Sequence, residues 1–345
     1  YMFITFCIFA YNEEMYLPNL LKCLRRQDYP HENIEVLLID SMSKDSTKAM
    51  MEKFALLNNE DVADMGFRNV KVCSNPGVTQ PCAWNVALDN YSGEALLRVD
   101  AHSEIPSDFI RKNVEKLEAG EYVCGGPRPV ITKSRGGMSR TVLMAETSKF
   151  GAGIAPYRNK HNSSKPKYVT SLFHAAFRRE VFDKVGRYNE KLIRTEDNDM
   201  NYRIRKAGFK LAYYDDIISY QVIRPNLFGS IKQKYDNGYW IGKTLFVNPK
   251  CIRPFHLAPL AFLTTVVSAF MMYRMTKSEY ARKLLMLVCK SYVGMAIVMS
   301  LSAMIKNRRD FNITTLLLPF IFGAMHVAYG LGSAVGIIKG FLERK

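Results

Sequence analysis

The triplet Asp100-Ala101-His102 closes a largely apolar run, Ala95 to Val99, and sets a carboxylate and an imidazole two positions apart. On an extended chain, residues at that spacing project to the same face. Carboxylate oxygen with imidazole nitrogen suits Mn²⁺ or Mg²⁺ better than a thiolate-seeking metal. Other acids also stand where apolar runs end. Tyr11-Asn12-Glu13-Glu14 follows Phe3 to Ala10, and Asp40-Ser41-Met42-Ser43-Lys44-Asp45 follows Ile34 to Ile39. A later cluster, Thr195-Glu196-Asp197-Asn198-Asp199, has two readings. Acids suit the positive end of a helix beginning near Asp199. A carboxylate held near a hydroxyl is also what general-base chemistry needs.

These acids need elements to carry them. Phe3 to Ala10 is continuously apolar, the pattern of a strand buried on both faces. An amphipathic helix follows from about Leu17 to Arg26, then a strand from Ile34 to Ile39 and a helix after Thr47. Val70 to Cys73 predicts a third strand, Pro81 to Leu88 a third helix, and Ala95 to Val99 a fourth strand. Alternating strands and helices imply right-handed crossovers and a mostly parallel, Rossmann-like α/β sheet. Tyr11 with Glu13, Asp40, and Asp100 with His102 then meet at the carboxyl edge, where open α/β sheets bind ligands.

This order of motifs resembles the family 2 inverting glycosyltransferases, whose fold is the glycosyltransferase A type. The likeness covers roughly residues 2 to 245. It rests on Ala10-Tyr11-Asn12-Glu13, on Asp40 to Asp45 as an Asp-x-x-Ser-x-Asp loop, and on Asp100-Ala101-His102 in place of Asp-x-Asp. Glu196-Asp197 stands for the family's Glu-Asp motif, preceded by Phe177 to Phe182 and Val185-Gly186. Histidine in third place is similar to the succinoglycan glucosyltransferase branch. The resemblance implies Asp197 as the base that deprotonates an acceptor hydroxyl, with Glu196 orienting a sugar hydroxyl or the base. Ala10, Tyr11, Glu13, Asp40 and Asp100 would contact the nucleotide-sugar, Tyr11 stacking on the nucleobase and Asp40 accepting a hydrogen bond from it. Asp100 and His102 would hold Mn²⁺ or Mg²⁺ to neutralise the departing diphosphate. His174 lies where the family lines its acceptor pocket, and it also reads as a satisfied core histidine.

The chain departs from the family at two positions. Trp84, where an arginine often stands, precedes Asn85. The Gln-x-x-Arg-Trp motif of processive synthases is replaced by Gln233 to Trp240, which argues for adding one sugar rather than making a polymer. Gln233 and Trp240 are the acceptor-side candidates there, on an amphipathic interface helix. A nucleotidyltransferase would share the metal edge but has no use for the Glu-Asp pair.

The formal charge is +16 over 345 residues. Six bases (Arg224, Lys232, Lys234, Lys243, Lys250 and Arg253) face one acid, Asp236, between Tyr220 and Arg253. That cluster beside an apolar region favours anionic lipid headgroups. Zinc spacings, helix-turn-helix signals and RNA-recognition motifs are missing, which excludes nucleic acid as the expected partner. Seven cysteines with no Cys-x-x-Cys suggest buried thiols in a reducing compartment, leaving the sequons at Asn162 and Asn312 little weight.

Leu257 to Tyr273, Leu284 to Ile305 (interrupted by Lys290) and Ile313 to Ile338 each approach or exceed bilayer-spanning length. The first, flanked by Pro254 and Pro259, also fits a surface helix. Phe3 to Ala10 lacks the basic lead of a secretory signal. The expected organisation is a nucleotide-sugar-binding catalytic domain over residues 1–245 and a membrane-associated helical region over 246–345. The catalytic domain is expected to face the cytosol from the cytoplasmic membrane. A UDP-hexose donor and a polyprenyl-diphosphate-linked acceptor in capsule or exopolysaccharide assembly follow from the resemblance. The glycine-bearing tract from Gly125 to Lys167 reads as a solvated loop or an acceptor lid.

Overall fold

The computed structural model describes residues 1–60, 65–152, 166–223 and 225–343. The chain forms two compact units, Tyr1–Ile131 with Ala155–Ile223, and Thr132–Ile154 with Arg224–Lys345.

In the first unit, β1 (Ile4–Ala10), β2 (Ile34–Asp40), β3 (Asn69–Ser74) and β4 (Ala95–Asp100) run parallel in the order β3-β2-β1-β4. β1, β2 and β4 are buried at every position, which is why they read as apolar runs without alternation. Helices α1 (Leu17–Leu24), α2 (Thr47–Asn59) and α3 (Gln80–Asn90) make the crossovers. α1 buries Leu17, Leu20, Leu21 and Leu24, the stripe of a helix with one apolar face. The strands separate two core layers. Ile4, Phe6 and Ile8 pack with Leu17 and Leu20 on one side, and Cys7 and Phe9 pack with Trp84 and Phe177 on the other.

The rest of this unit adds β5 (Ser103–Glu104), α4 (Phe109–Glu118), β6 (Val123–Gly125) and β7 (Val130–Thr132). The second unit takes α5 (Gly137–Thr147) and α6 (Lys149–Ala152). The first unit then resumes with β8 (Lys167–Val169), β9 (Ala176–Arg178), α7 (Arg179–Val185), α8 (Glu196–Lys206), β10 (Leu211–Tyr213) and β11 (Tyr220–Ile223). β9 is antiparallel to both β4 and β6, so the eight-stranded sheet is mixed beyond β4. The chain builds outward from β1 through β2 and β3, then returns through α3 to place β4 on the other side of β1. The crevice between the ends of β1 and β4 is therefore the topological switch point.

The second unit also contains α9 (Leu227–Thr244), α10 (Ala258–Thr276), α11 (Glu279–Lys306) and α12 (Leu318–Leu342). Three stretches, Pro254–Thr276, Glu279–Lys306 and Ile313–Leu342, are long and apolar enough to cross a membrane. Val142 and Met144 of α5 share a core with Ala303 of α11 and with Leu318, Phe322 and Met325 of α12.

The unit boundaries differ from the expected division at 245. α9 belongs with the C-terminal helices because glycines allow close contact: a Cβ on Gly238 would lie 2.0 Å from the Tyr329 carbonyl oxygen. Within the Gly125 to Lys167 tract, the stretches of α5 and α6 are helical rather than loop, and residues 153–165 lie outside the described residues. Asn162 and Arg224 lie outside the described residues. The Asn312 side chain accepts from Thr314 N at 3.0 Å, a local turn contact. All seven cysteines are free thiols.

Candidate active site

The loops after β1 and β2 interlock through reciprocal hydrogen bonds. Asn12 N donates to Ser43 Oγ (3.0 Å), and Lys44 N donates to Asn12 Oδ1 (2.8 Å). Glu14 N donates to Asp45 Oδ2 (3.2 Å), and Ser46 N donates to Glu14 Oε2 (3.1 Å). Asn12 and Met42 adopt left-handed backbone angles, with φ of 54° and 63°, to make these turns. Asp40 is buried at the end of β2, where Oδ1 accepts from Ser43 N at 3.2 Å. Ala10 is buried and accepts at its carbonyl from Ser41 N (2.9 Å), whereas the Tyr11 side chain is 48% exposed.

At the end of β4 the extended geometry stops at Asp100, and Ala101 and His102 form a turn. Strand alternation therefore does not bring Asp100 and His102 together. The residue two positions from Asp100 on the strand is Arg98, and its guanidinium pairs with the Asp100 carboxylate. His102 instead reaches the loop after β1, with Nδ1 2.8 Å from Glu13 Oε1. Its Nε2 lies 3.2 Å from the side-chain nitrogen of Gln221 on β11, which pairs with β5. With a proton on Nδ1, the ring donates to Glu13 and accepts at Nε2. Burial works against a charged His102. The Glu13 hydrogen bond and the Asp100 charge outweigh it and hold the pKa above the ordinary histidine value.

Arg98 was not singled out from the sequence, although an arginine inside an otherwise apolar strand was the available signal. It is 3% exposed, with its guanidinium 4.9, 5.6 and 5.2 Å from the ring centres of Phe9, Trp84 and Phe173. Such a site favours a cation partly through the aromatic faces. Burial alone would raise the pKa of Asp100; Arg98, then His174, overcome it and hold the carboxyl well below the usual range. His174 has a left-handed φ of 43°. Its Nδ1 lies 2.9 Å from Ser219 Oγ, and Nε2 is 3.3 Å from Asp100 N and 3.4 Å from Asp100 Oδ2. Burial lowers its pKa to about 4, so the ring is neutral at physiological pH. His174 is thus satisfied inside the core, and it also lines a cleft.

That cleft is small, with about 10 Å³ of free space, and Trp84, Arg98, Phe173, His174, Tyr188 and Asp197 are among its walls. Trp84 takes the place of the family arginine and stacks on Tyr188 with centroids 4.6 Å apart. Asn85 fixes the same segment by accepting from Tyr188 N (2.9 Å) and donating to Tyr188 O (3.0 Å). Arg128, also missed from the sequence, lies 3.6 Å from the Phe173 ring centre.

α8 starts at Glu196, earlier than the expected start near Asp199, and its three first-turn acids divide their work. Asp199 is buried and pairs with Arg203 at 2.8 Å, which makes it a structural acid. Asp197 faces the cleft. Burial raises its pKa and Arg98 offsets only part of that rise. Glu196 is pushed further, first by burial and then by the charge of Asp197. Among the described residues its Oε2 has no hydrogen-bond partner. Gln233 and Trp240 lie on α9 in the second unit, where Lys243 Nζ sits 5.2 Å from the Trp240 ring centre.

The sequence profile of glycosyl transferase family 2 matches residues 5–186, more than half of the chain. The chain belongs to glycosyl transferase family 2. This family 2 protein is a glycosyltransferase enzyme with the glycosyltransferase A-type fold. It is 25% identical over 345 residues to a Methanococcus voltae dolichyl N-acetyl-alpha-D-glucosaminyl phosphate 3-beta-D-2,3-diacetamido-2,3-dideoxy-beta-D-glucuronosyltransferase, covering 98% of each chain. It is 26% identical over 259 residues to the succinoglycan biosynthesis protein ExoA of Rhizobium meliloti, covering 73% of this chain and 74% of that one. Its fold is similar to that of the Pyrobaculum calidifontis mannosyltransferase PcManGT in complex with GDP-Man and Mn²⁺. The TM-score is 0.60 at 18% identity, covering 98% of this chain and 87% of that one.

Proposed function

We propose that this family 2 enzyme is membrane-associated and moves a hexose from a UDP-sugar, with inversion, to a saccharide carried on a polyprenyl diphosphate. The observation that carries the reading is Asp197, a carboxylate on the first turn of α8 that lines a cleft beside Arg98 and His174. Inversion needs one base near the acceptor hydroxyl, and Asp197 would take that proton. Glu196 would orient the base. His174 would line the acceptor side of the cleft while its nitrogens hold Asp100, and Gln233 and Trp240 on α9 are the proposed acceptor contacts outside it. Ala10, Tyr11, Glu13, Asp40 and Asp100 would bind the nucleotide, with Glu13 acting through His102.

The donor set suits a divalent cation shared with substrate. Among the described residues no three His, Cys, Asp or Glu side chains gather at one point. Mg²⁺ beside a phosphorylated substrate commonly takes one or two protein ligands and completes its shell with phosphate oxygens and water. Asp100 and the Nε2 atom of His102 would hold Mn²⁺ or Mg²⁺, with the Gln221 amide giving up its contact to Nε2 and Glu13 orienting the ring from behind. Bound there, the cation supplies Lewis-acid neutralisation of the departing diphosphate.

Two relatives favour a lipid-linked acceptor and polysaccharide assembly: one is named for a dolichyl-phosphate-linked sugar, the other for succinoglycan biosynthesis. The apolar helices favour a membrane location, and a nucleotide-sugar donor made in the cytosol favours the cytoplasmic membrane with the catalytic unit on that side. The test is a panel of UDP-sugars with Mn²⁺, scored for thermal stabilisation and for transfer to a polyprenyl-linked acceptor. One donor standing out supports the reading, and no response to any nucleotide would overturn it.

A further inference from the structure

Three helices qualify as spans by length and composition, but they differ in what covers them. Of their most apolar windows, 6% is buried in the stretch ending in α10, 11% in α11 and 44% in the stretch ending in α12. The cover on α12 includes α9. A Cβ on Gly332 would lie 2.1 Å from the Tyr235 carbonyl oxygen, and one on Gly336 would lie 2.0 Å from that of Tyr239. In return, Gly242 of α9 would meet Ser333 O at 2.4 Å. Residue numbers rise together along the two helices, so they run parallel, and Lys243 Nζ pairs with Glu343 at 2.6 Å where α12 ends.

We propose that α12 does not cross the bilayer but lies in its headgroup boundary as half of an α9–α12 pair, leaving the α10–α11 hairpin as the only crossing among the described residues. The inference rests on the membrane location proposed above. α9 carries Lys232, Lys234, Asp236 and Lys243. Any depth that puts the middle of α12 into hydrocarbon takes Lys234 and Asp236, on either side of Tyr235, with it, and charged side chains are costly there. The uncovered face of α12 is different: Phe320, Val327, Leu331, Val335 and Ile338 are exposed at helical spacing. One apolar stripe backed by a charged helix is the arrangement of an element lying in the interface plane. Exposed Lys232, Lys250 and Arg253 suit anionic headgroups beside it.

The hairpin lacks such a charged partner along its length. Phe262 of α10 stacks on Tyr292 of α11 with centroids 4.6 Å apart, and the turn passes through Lys277, whose φ is 55°. α10 has 19 residues, about 28 Å of helix at ~1.5 Å per residue, close to the hydrocarbon thickness. Arg274, Lys277, Arg282 and Lys283 surround the turn against Glu279, and Lys306, Arg308 and Arg309 stand at the other end against Asp310, so an excess of bases does not orient the hairpin. Two crossings return the chain to its starting side, and the end of α12 would share a side with the N-terminal unit.

The experiment places an epitope at the N-terminal end, after Lys277, or at the C-terminal end of the full chain. Each is digested with protease in right-side-out and inverted vesicles. The N- and C-terminal epitopes should be lost from the same vesicles, and the Lys277 epitope from the other kind. A C-terminal epitope cut on the opposite side from the N-terminal one would show that α12 crosses, overturning the proposal. A Lys277 epitope cut on the N-terminal side would show that the hairpin does not cross, and would overturn it too. Ser278→Cys with a membrane-impermeant maleimide repeats the middle arm without an insertion. Release of the whole chain by carbonate would instead defeat the membrane location itself.

Discussion

Glu13 Oε1 lies 2.8 Å from His102 Nδ1, joining the loop after β1 to the loop after β4 across the switch point of the sheet. The contact fixes which ring nitrogen faces outward, so it should govern metal binding more than folding. Losing such an orienting carboxylate typically costs about 10- to 100-fold in metal affinity. We expect Glu13→Gln to weaken the apparent Mn²⁺ affinity in the presence of UDP by that order at pH 8, and His102→Ala to remove the Mn²⁺-dependent stabilisation. A metal ligand must be neutral, and the His102 pKa is raised, so wild-type affinity should fall as pH falls through that raised value. Without Glu13 the fall should begin at lower pH. Equal metal-dependent increments for wild type and His102→Ala would exclude the histidine as a ligand.

Asp197→Asn should separate chemistry from binding. Loss of a general base slows reactions by about 10²- to 10⁴-fold, while UDP-sugar affinity should stay near normal. The base works deprotonated and its pKa is raised by burial, so kcat should fall as pH drops through a value above the usual aspartate range. Arg98→Met removes the charge that limits this rise, and should move the fall to higher pH. A variant Asp197→Asn that keeps more than about a tenth of wild-type transfer would put the base elsewhere.

Glu196 should trade stability for function. Its folded pKa is raised above the unfolded value, so between the two values the folded state binds more protons. Stability therefore declines as pH rises from about 4.3, the unfolded glutamate value, through the folded one. Glu196→Gln removes that penalty and should stabilise the fold at pH 7 by on the order of 1 kcal/mol, read as a higher thermal midpoint, with little gain at pH 4. The same change should reduce transfer. A midpoint at pH 7 that does not rise would mean that the unpartnered oxygen costs nothing.

Two glycines of α12 should respond in opposite directions. Gly332→Ala drives a methyl against the Tyr235 carbonyl oxygen, so the helices must separate, at a cost of about 1–3 kcal/mol. Gly323 has nothing within 4 Å of an added Cβ, and Gly323→Ala should stabilise by about 1 kcal/mol through helix propensity. Melting both variants in the same detergent gives the comparison. Similar midpoints would show that α9 and α12 are not in close contact in solution.

Three of the four parallel strands, β1, β2 and β4, were legible because burial on both faces writes itself as a largely apolar run, and each of these runs ends at acids that the sheet edge collects. The Glu-Asp pair and the apolar C-terminal stretches were legible for the same local reasons, a short motif and a length. Their partners were not. Nothing in Leu97-Arg98-Val99 says that Arg98 will take Asp100, or that Phe9 and Phe173, far apart in the chain, will enclose it. The sequence showed His102 as a neighbour of Asp100, yet its hydrogen bonds go to Glu13 and Gln221, 89 and 119 residues away.

By itself the sequence determined four strands of an α/β sheet that delivers acids to one edge, and the apolar stretches after it. The tertiary structure decided which acid is structural and which faces a cleft, since Asp199 and Asp197 are equally acidic and differ only in what packs against them. It also decided that α9 belongs with α12. Periodicity reports how a helix faces its surroundings, but the glycines that let two backbones meet carry no hydrophobic signal, and only the packed pair reveals what they are for.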